Sequence, residues 1–292
     1  MATAPKPAFK HIVVLSRSGY GDPMEQATKV TSFLNAQKLK ASALYMHDDS
    51  VQGRVEAGEF DLVIAVGGDG TVLRAGHWCA PLGIPLLGIN EGHFGFLVEL
   101  ERGVWPQMLP RLASREYRLE ERMLLHVELW RGGKQSGAWE AINEALVGRG
   151  RIARPIHLAA HLDGSLLTTY VADGLIIATA TGSTAYALAA GGPVLPPTLR
   201  NLVLVPVAAH LSMDRAIVLA EGANIRVELR RGEDAVLSVD GQQPVDVQLG
   251  DWVDLRASDF SLRFLRFQGP GHFYARLLRI MDNNPSVRLL DP

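Results

Sequence analysis

Residues 60–71, FDLVIAVGGDGT, contain a strand pattern followed directly by a glycine-rich turn. The run from Phe60 to Val66 is mostly apolar and rich in β-branched side chains, which predicts a buried strand. Three glycines within the next four residues let the backbone take positive φ and approach a ligand closely. Residues 71–79 are then predicted to be helical, and the free N–H groups of a first helical turn favour an anion. The stretch therefore predicts a strand–turn–helix unit with an anion site at its turn.

Asp69 projects from this turn, at the carboxyl end of a parallel sheet, where ligands bind in such folds. A carboxylate there can accept a proton from an attacking hydroxyl, or hold a magnesium ion that bridges phosphate oxygens. The alternative is a tight turn in which Asp69 only caps the helix. The long apolar strand and the additional glycines favour the functional interpretation. The turn lacks the Walker pattern G-x-x-x-x-G-K-[ST], and the first strand is not followed by G-x-G-x-x-G.

The two halves of the chain have different patterns. Before residue 117, predicted strands at 11–16, 41–46, 60–66 and 85–89 alternate with helices at 23–39 and 71–79, which is typical of a doubly wound parallel α/β sheet. After it, many short apolar runs are separated by Gly, Asp and Asn, an all-β pattern. We therefore expect an N-terminal α/β domain over 1–116 and a β-rich domain over 117–270. A helix within 271–292 is expected to pack back on the first domain.

Composition narrows the class of protein. The chain has 292 residues, 29 basic and 31 acidic side chains, and a formal net charge of -2. Such a balance predicts neither a nucleic-acid partner nor an anionic membrane surface. A single cysteine, Cys79, excludes an internal disulfide. No signal-peptide pattern occurs, and no apolar stretch approaches the ~20 residues of a membrane-spanning helix, so the cytoplasm is expected.

Three segments carry a resemblance to a known family. Gly67-Gly68-Asp69-Gly70-Thr71 resembles the signature shared by NAD kinases and by diacylglycerol and sphingosine kinases. Asn143-Glu144 is similar to a second element of the NAD kinases. The run DGLIIATATGSTAY, from Asp173 to Tyr186, is similar to their most specific motif and continues into Gly191-Gly192-Pro193. The order and spacing of the three segments span most of the chain.

The resemblance implies an architecture and a reaction. It implies an α/β domain, a β-sandwich domain and an active site in the cleft between them. The reaction is transfer of a phosphoryl group from ATP or polyphosphate to the 2′-hydroxyl of the adenosine ribose of NAD, which gives NADP. Mg²⁺ or another divalent cation is expected to arrive with ATP, with no metal fixed by the protein alone. NAD and the phosphate donor are the expected partners, and a homodimer or homotetramer is the expected assembly.

The resemblance also implies roles for individual residues. Asp69 is the implied general base, and phosphate contacts are implied for Gly67, Gly68, Gly70 and Thr71. The implied NAD contacts are Asp69, Gly70, Arg74, Asn90, Phe96, Asn143, Glu144, Arg154, Asp173, Thr184, Ala185, Tyr186, Ala187, Leu188, Ala189 and Gln242.

The chemistry of these residue types is compatible with the roles. Asn143 offers an acceptor and two donors, which suits a ribose diol or a carboxamide, and Tyr186 has a flat face for adenine. Each residue also has an ordinary structural reading. Asn-Glu is commonly a solvated surface pair, and Arg154, before Pro155, is equally well explained as an exposed loop charge. Nine scattered histidines without a Cys/His cluster predict no structural zinc.

Two alternatives to an NAD kinase remain at this point. A lipid kinase would share the glycine-rich turn but leaves Asn143-Glu144 and the 173–186 motif unexplained. A non-catalytic NAD(H)-binding regulator could use the same fold, but it would have no need of a base at Asp69.

Overall fold

A computed structural model describes residues 9–17, 23–91, 95–152, 154–210 and 213–282. Contacts divide the chain into two compact units. Unit 1 contains the residues up to Glu121 and those from Leu262 onward, and unit 2 spans Arg122–Ser261. The sequence-based boundaries at 116 and 270 stay predictions.

The elements of both units follow in chain order. The strands are β1 Ile12–Ser16, β2 Ala41–Tyr45, β3 Leu62–Val66, β4 Leu86–Ile89, β5 Arg118–Arg131, β6 Lys134–Ala141, β7 Glu144–Arg149, β8 Ile156–Leu162, β9 Ser165–Ala172, β10 Gly174–Thr179, β11 Asn201–Val207, β12 Ile217–Ala220, β13 Ile225–Arg231, β14 Ala235–Val239, β15 Val245–Val247 and β16 Trp252–Arg266. The α-helices are α1 Pro23–Ala36, α2 Asp49–Glu56, α3 Asp69–Cys79, α4 Trp105–Met108, α5 Pro110–Ala113, α6 Tyr186–Ala189 and α7 His272–Asp282. Single 3₁₀ turns occur at Ala80–Leu82 and Gly182–Thr184.

Unit 1 is built on a parallel sheet in the order β2-β1-β3-β4. Every residue of β1, β3 and β4 is buried, as expected for parallel strands covered on both faces. Helix α1 places Ala27, Val30 and Leu34 at helical spacing, and all three pack in the core with Ile12 and Ile64. The parallel α/β sheet predicted from the alternating pattern is therefore confirmed.

Two helices of unit 1 differ from the sequence expectation. Helix α1 ends at Ala36 rather than near residue 39, because Lys38 adopts a left-handed φ of 64° that a helix cannot continue. Helix α2 was not predicted. The Asp48 carboxylate caps it by accepting from the Ser50 N–H at 3.0 Å, and Val51 and Val55 are its buried apolar residues among those whose burial is described. Two apolar positions are too few to give a clear helical period.

Unit 2 is a sandwich of two sheets. One layer contains β16-β13-β8-β9 together with β5 and β6, and the other runs β12-β11-β10-β7-β14-β15 with antiparallel neighbours throughout. One core cluster draws Leu158 and Tyr170 from the first layer and Leu175, Leu204 and Leu237 from the second. Because both sheets contribute side chains to a single core, the predicted β-sandwich is confirmed.

Strands β5 and β16 are the long elements that contain the unit boundaries. The sequence predicted only short runs within them, at 124–129 and 252–255. Both strands alternate buried and exposed residues over part of their length, which hides their extent in a search for continuous apolar runs. Among the described helices, none is both long enough and apolar enough to span a membrane.

We predict that Leu62→Ala, in the middle of the parallel sheet, lowers the free energy of unfolding of unit 1 by about 2 to 5 kcal/mol, because it leaves a cavity in a close-packed core. Leu62 is fully buried, whereas Leu82 in the same unit is 44% exposed. Leu82→Ala removes the same atoms and should change the free energy of unfolding little. Urea unfolding of both variants, followed by circular dichroism, provides the comparison; equal losses would contradict the predicted packing.

Candidate active site

The glycine-rich turn of unit 1 is shaped by close packing. β3 ends at Val66, and α3 begins at Asp69 with Gly68 as its N-cap. Gly67 has φ 155°, and a Cβ there would overlap the side chain of Thr71, which is buried. The Thr71 N–H donates to the Gly68 carbonyl at 2.9 Å. The turn therefore requires glycine at 67, while Gly68 and Gly70 are exposed with open space around their Cα atoms.

The Asp69 carboxylate is held by backbone amides from a segment 27 to 29 residues later in the chain. Oδ2 accepts from the Phe96 N–H at 2.7 Å, and Oδ1 accepts from the N–H groups of Leu97 and Val98 at 3.0 and 3.4 Å. A Cβ on Gly95 would overlap this carboxylate. Since the N-cap is Gly68 and makes no side-chain cap, Asp69 is not a helix cap. Its carboxylate is instead oriented by three N–H donors and stays partly exposed.

The other predicted residues of unit 1 occupy different environments. Arg74 is exposed one helical turn after Asp69, and its Nη1 lies 3.3 Å from Nδ1 of His47. Asn90 directly follows β4 and is buried, with its N–H donating to the Leu100 carbonyl at 2.7 Å. Phe96 is half-buried. In unit 1, the backbone N–H of Phe96 therefore contacts the Asp69 carboxylate directly. Arg74 instead contacts His47, which lies just before α2.

In unit 2, the backbone around Asn143 and Glu144 is fixed by Asp240. The Asp240 carboxylate accepts from the N–H groups of Ile142, Asn143 and Glu144 at 2.7, 2.8 and 2.9 Å. The Asp240 N–H donates back to the Glu144 carbonyl at 2.9 Å. Asp240 itself has a positive φ of 49°, a conformation that Asp tolerates better than most residues. The sequence interpretation missed this role, although Asp240-Gly241 is a turn signal that places a carboxylate beside β14.

The motif at 179–182 packs against the same backbone. The Thr179 N–H donates to the Asn143 carbonyl at 2.8 Å, and its Oγ1 donates to the Ile142 carbonyl at 2.6 Å. Oγ1 also accepts from the Gly182 N–H at 3.1 Å. A Cβ on Gly182 would overlap the Asn143 carbonyl. Asn143-Glu144 and the Gly182-Ser183-Thr184 turn, 39 residues apart in sequence, therefore form one local structure.

The surroundings of the Glu144 carboxyl raise its pKa. Burial, and secondly the charge of Asp240, raise the pKa of Glu144 to about 8, against a smaller opposing effect of the Tyr186 N–H. Within the described residues, its Oε2 is buried without a hydrogen-bond partner. A carboxyl that keeps its proton near neutral pH can donate a hydrogen bond as well as accept one.

The remaining residues of the motif differ in accessibility. Thr184 donates from Oγ1 to the Thr181 carbonyl at 3.2 Å, and Tyr186 is 44% exposed. Ala187 is fully buried in a core cluster with Ile176 and Val203. The half-buried or exposed positions that flank it are Ala185, Leu188 and Ala189. The surface of this helical turn is therefore formed by Tyr186 and its neighbours, while Ala187 anchors the turn to the core.

Gln242 and Arg154 are exposed residues on loops. The Gln242 N–H donates to the Val239 carbonyl at 2.9 Å, which closes the turn that contains Asp240. The Arg154 N–H donates to the Ile152 carbonyl at 2.8 Å. Gln242 thus belongs to the turn that fixes Glu144, whereas the geometry connects Arg154 to none of the other predicted residues.

Asp173 lies away from Glu144. Its carboxylate pairs with Arg149, with Oδ1 and Nε 2.9 Å apart. In the antiparallel pair β7–β10, Glu144 is opposite Ala178 and Gly148 is opposite Gly174. Asp173 lies opposite Arg149, so it and Glu144 lie at opposite ends of this strand pair, about 17 Å apart along the strands at the usual rise per residue. One copy of unit 2 does not bring these two carboxylates together.

No cation site is formed by side chains in the part of the chain that the structure describes: no group of three or more His, Cys, Asp or Glu is placed to hold a metal. Two of the three N–H bonds on Asp69 are to Oδ1 and one is to Oδ2.

Comparison with known proteins identifies both units. The sequence profile of the ATP-NAD kinase N-terminal domain matches residues 11–117, and that of the ATP-NAD kinase C-terminal domain matches residues 142–267. The NAD kinase of Chloroflexus aggregans is 40% identical over 250 residues, which cover 86% of this chain and 90% of that protein. The NAD kinase of Syntrophotalea carbinolica is 35% identical over 284 residues, covering 93% and 97%.

Two solved structures are similar in fold. An NAD kinase from Archaeoglobus fulgidus in complex with ATP superimposes with a TM-score of 0.73 at 25% identity, covering 92% of this chain and 98% of that one. Yeast NADH kinase complexed with NADH gives a TM-score of 0.83 at 21% identity, covering 95% and 89%. At 21% identity, the similarity to yeast NADH kinase concerns the fold alone.

Glu144 generates a prediction about stability and pH. Because its pKa is raised from 4.5 to about 8 in the folded protein, unfolding between these pH values releases its proton, so the free energy of unfolding falls as pH rises. Glu144→Gln cannot titrate. The free energy of unfolding of the variant relative to the parent should therefore increase from about pH 5 to pH 8, with a slope below ~1.4 kcal/mol per pH unit.

Urea unfolding at several pH values measures this difference. Glu233→Gln, at an exposed position of the same unit, is the control and should give a difference that does not vary with pH. A flat difference for Glu144→Gln would show that burial does not displace its titration.

Proposed function

This chain belongs to the NAD kinase family and has NAD kinase activity, and we propose that Asp69 is the general base of the phosphoryl transfer. In this reaction the proton of the adenosine 2′-hydroxyl passes to the Asp69 carboxylate. The 2′-oxygen forms a bond to the terminal phosphorus of the donor, and the bond from that phosphorus to the bridging oxygen breaks. The products are NADP and ADP when ATP is the donor.

The hydrogen bonds of Asp69 carry this assignment. A carboxylate offers about four lone-pair positions. Oδ1 already accepts from two N–H groups, and among the described residues Oδ2 accepts only from Phe96. Oδ2 therefore keeps a lone pair for a hydroxyl proton, on a carboxylate that is partly exposed and fixed in direction. Fixing the base before the substrate arrives reduces the entropic cost of reaching the reactive geometry.

The start of α3 supports phosphate binding at the same turn. Exposed Gly68 and Gly70 allow close approach to the backbone, and the unpaired N–H groups of a first helical turn attract anions. We therefore assign phosphate contacts to Gly68 and Gly70. The contacts implied for Gly67 and Thr71 stay predictions, because their N–H groups donate to the carbonyls of Ile89 and Gly68.

Unit 2 supplies the residues proposed to recognise NAD. Asn143, Glu144, Tyr186 and Gln242 belong to one local structure fixed by Asp240 and Gly182. A protonated Glu144 beside an Asn amide offers both donors and acceptors, which suits ribose hydroxyls, and exposed Tyr186 offers a ring face to a base. Roles for Arg74, Asn90, Phe96, Arg154, Asp173, Thr184, Ala185, Leu188 and Ala189 in NAD binding stay predictions.

Several finer features of the reaction are also proposals. The donor is ATP, with polyphosphate as an alternative, and a divalent cation would arrive with the donor and neutralise part of its phosphate charge. The separation of Asp173 from Glu144 within one chain supports a homodimer or homotetramer in which Asp173 serves a neighbouring copy. The cytoplasmic location, and the placement of the site between the two domains, stay predictions.

The alternatives are less well supported. A lipid kinase would need only the glycine turn, and it leaves the coupled 142–144, 179–186 and 240–242 structure without a role. A regulator that binds NAD(H) without turning it over would not need a base with a free lone pair at Asp69.

We predict that Asp69→Asn lowers kcat for NADP formation by roughly 10²- to 10⁴-fold, the usual contribution of a general base, while NAD binding is retained. Formation of NADP from NAD with ATP or polyphosphate measures turnover, and calorimetry measures binding. Asp163→Asn is a matched control, because the Asp163 carboxylate also accepts a backbone N–H, from Asn224 at 2.9 Å, in a surface turn. Near-normal turnover of Asp69→Asn would overturn the assignment of the base.

A further inference from the structure

The segment that holds Asp69 is itself held from its other side by two buried arginines. The N–H groups of residues 96–98 donate to the Asp69 carboxylate. On the opposite side, Arg276 Nη1 donates to the carbonyls of Phe96, at 3.5 Å, and Val98. Arg266 Nη1 donates to the Leu97 carbonyl at 3.0 Å. All three carbonyls of the segment therefore accept from guanidinium groups.

Peptide geometry transmits these contacts to Asp69. The carbonyl of one residue and the N–H of the next lie in one rigid plane and, in a trans peptide, point in opposite directions. The Phe96 carbonyl shares its plane with the Leu97 N–H, and the Leu97 carbonyl shares its plane with the Val98 N–H. A guanidinium that fixes either carbonyl thus fixes the direction of an N–H that donates to Oδ1 of Asp69.

Arg276 is an unusual residue for the helix that carries it. It is 8% exposed and is the only buried residue among those of α7, His272–Asp282. Tyr274 and Leu278 of the same helix are largely exposed. A helix that docks for stability alone would bury its apolar side chains, because burying a guanidinium costs desolvation energy. A buried guanidinium is therefore expected where its N–H donors hold other groups in place.

The charges around Arg276 are those that would keep such a group in place. Glu99 Oε2 lies 3.9 Å from Arg276 Nη2 and 3.2 Å from Arg266 Nη1. Burial and the nearby Arg266 lower the pKa of Arg276, and Glu99 and Asp69 oppose that lowering. Arg276 Nη2 also donates to the Glu99 carbonyl at 3.3 Å. The planar fork of arginine holds several N–H donors apart in fixed directions, an arrangement that the single ammonium of lysine does not reproduce.

We propose that Arg276 is a positioning residue for the catalytic carboxylate, acting through the peptide plane that joins Phe96 to Leu97 to aim Asp69 at the substrate hydroxyl. This inference rests on the proposed role of Asp69 as the base. Arg266 is its partner in the task, but Arg266 is also part of a buried network with Glu99 and Glu120. Arg276, on α7, is therefore the position at which the proposal is tested.

The test compares three variants of the full chain. Arg276→Met should lower kcat for NADP formation about 10- to 100-fold and leave KM for NAD within about twofold, because the NAD contacts are proposed elsewhere. Arg276→Lys keeps the charge but loses the fork, and should lower kcat by less than the Met variant. Arg279→Met is the matched control on the same helix, since Arg279 pairs with exposed Glu101 at 2.7 Å, and its kcat should be unchanged.

A double-mutant cycle separates positioning from a general structural effect. In the Asp69→Asn background, Arg276→Met should cause no further loss of residual kcat, because the group it aims is no longer a base. A further loss that multiplies with that of Asp69→Asn would overturn the proposal, as would a KM effect without a kcat effect. If Asp69→Asn alone keeps its turnover, it is the assignment of the base that fails, and this arm reveals it independently of Arg276.

Folding of the variants is measured by Tm before the kinetics. Should Arg276→Met give no folded protein, Arg276→Lys decides the question alone. A reduced kcat with the parent KM for NAD supports positioning by the guanidinium fork, and the parent kcat overturns it.

Discussion

The hydrogen bonds between the Asp69 carboxylate and the N–H groups of residues 96–98 are the constraint on which the arrangement of unit 1 depends. They join the turn after β3 to the segment after β4, so two neighbouring parallel strands share one fixed group at their carboxyl ends. Gly95 is required because any side chain there would overlap the carboxylate. The position of the candidate base is therefore fixed by this close approach, on a parallel sheet that its own strand pairing holds together.

Unit 2 uses the same device for a different purpose. Asp240 also accepts from three consecutive N–H groups, but its role is to hold the backbone of residues 142–144 rather than to react. The burial of Glu144, and secondly the negative charge of Asp240, raise the pKa of the Glu144 carboxyl. One carboxylate thus fixes a backbone and, at the same time, changes the hydrogen-bonding character of the side chain beside it.

Local features of the fold could be predicted from the sequence, and long-range ones could not. The run from Phe60 to Thr71 predicts a strand, a turn and a helix because the determining residues are contiguous, and the alternation of strands and helices predicts the parallel sheet. The two-residue apolar face of α2 gives no usable period. Asp240 and Arg276 act on residues about 100 and 180 positions earlier, and nothing in the local pattern of either residue indicates its partner.

In the candidate site, too, the sequence predicts local features and does not predict long-range contacts. The residue types of Asp69, Asn143 and Glu144 indicate what chemistry each could perform, but not the state in which the fold holds it. Whether Asp69 is a cap or a base depends on which N–H groups it accepts from, and these come from residues 96–98 rather than from its own helix. Whether Ala187 faces a ligand or the core depends on the packing of α6 against β10 and β11. A site residue is thus defined by its partners as much as by its type, and for Asp69 those partners are amides whose direction is set, in turn, by two arginines from the far end of the chain.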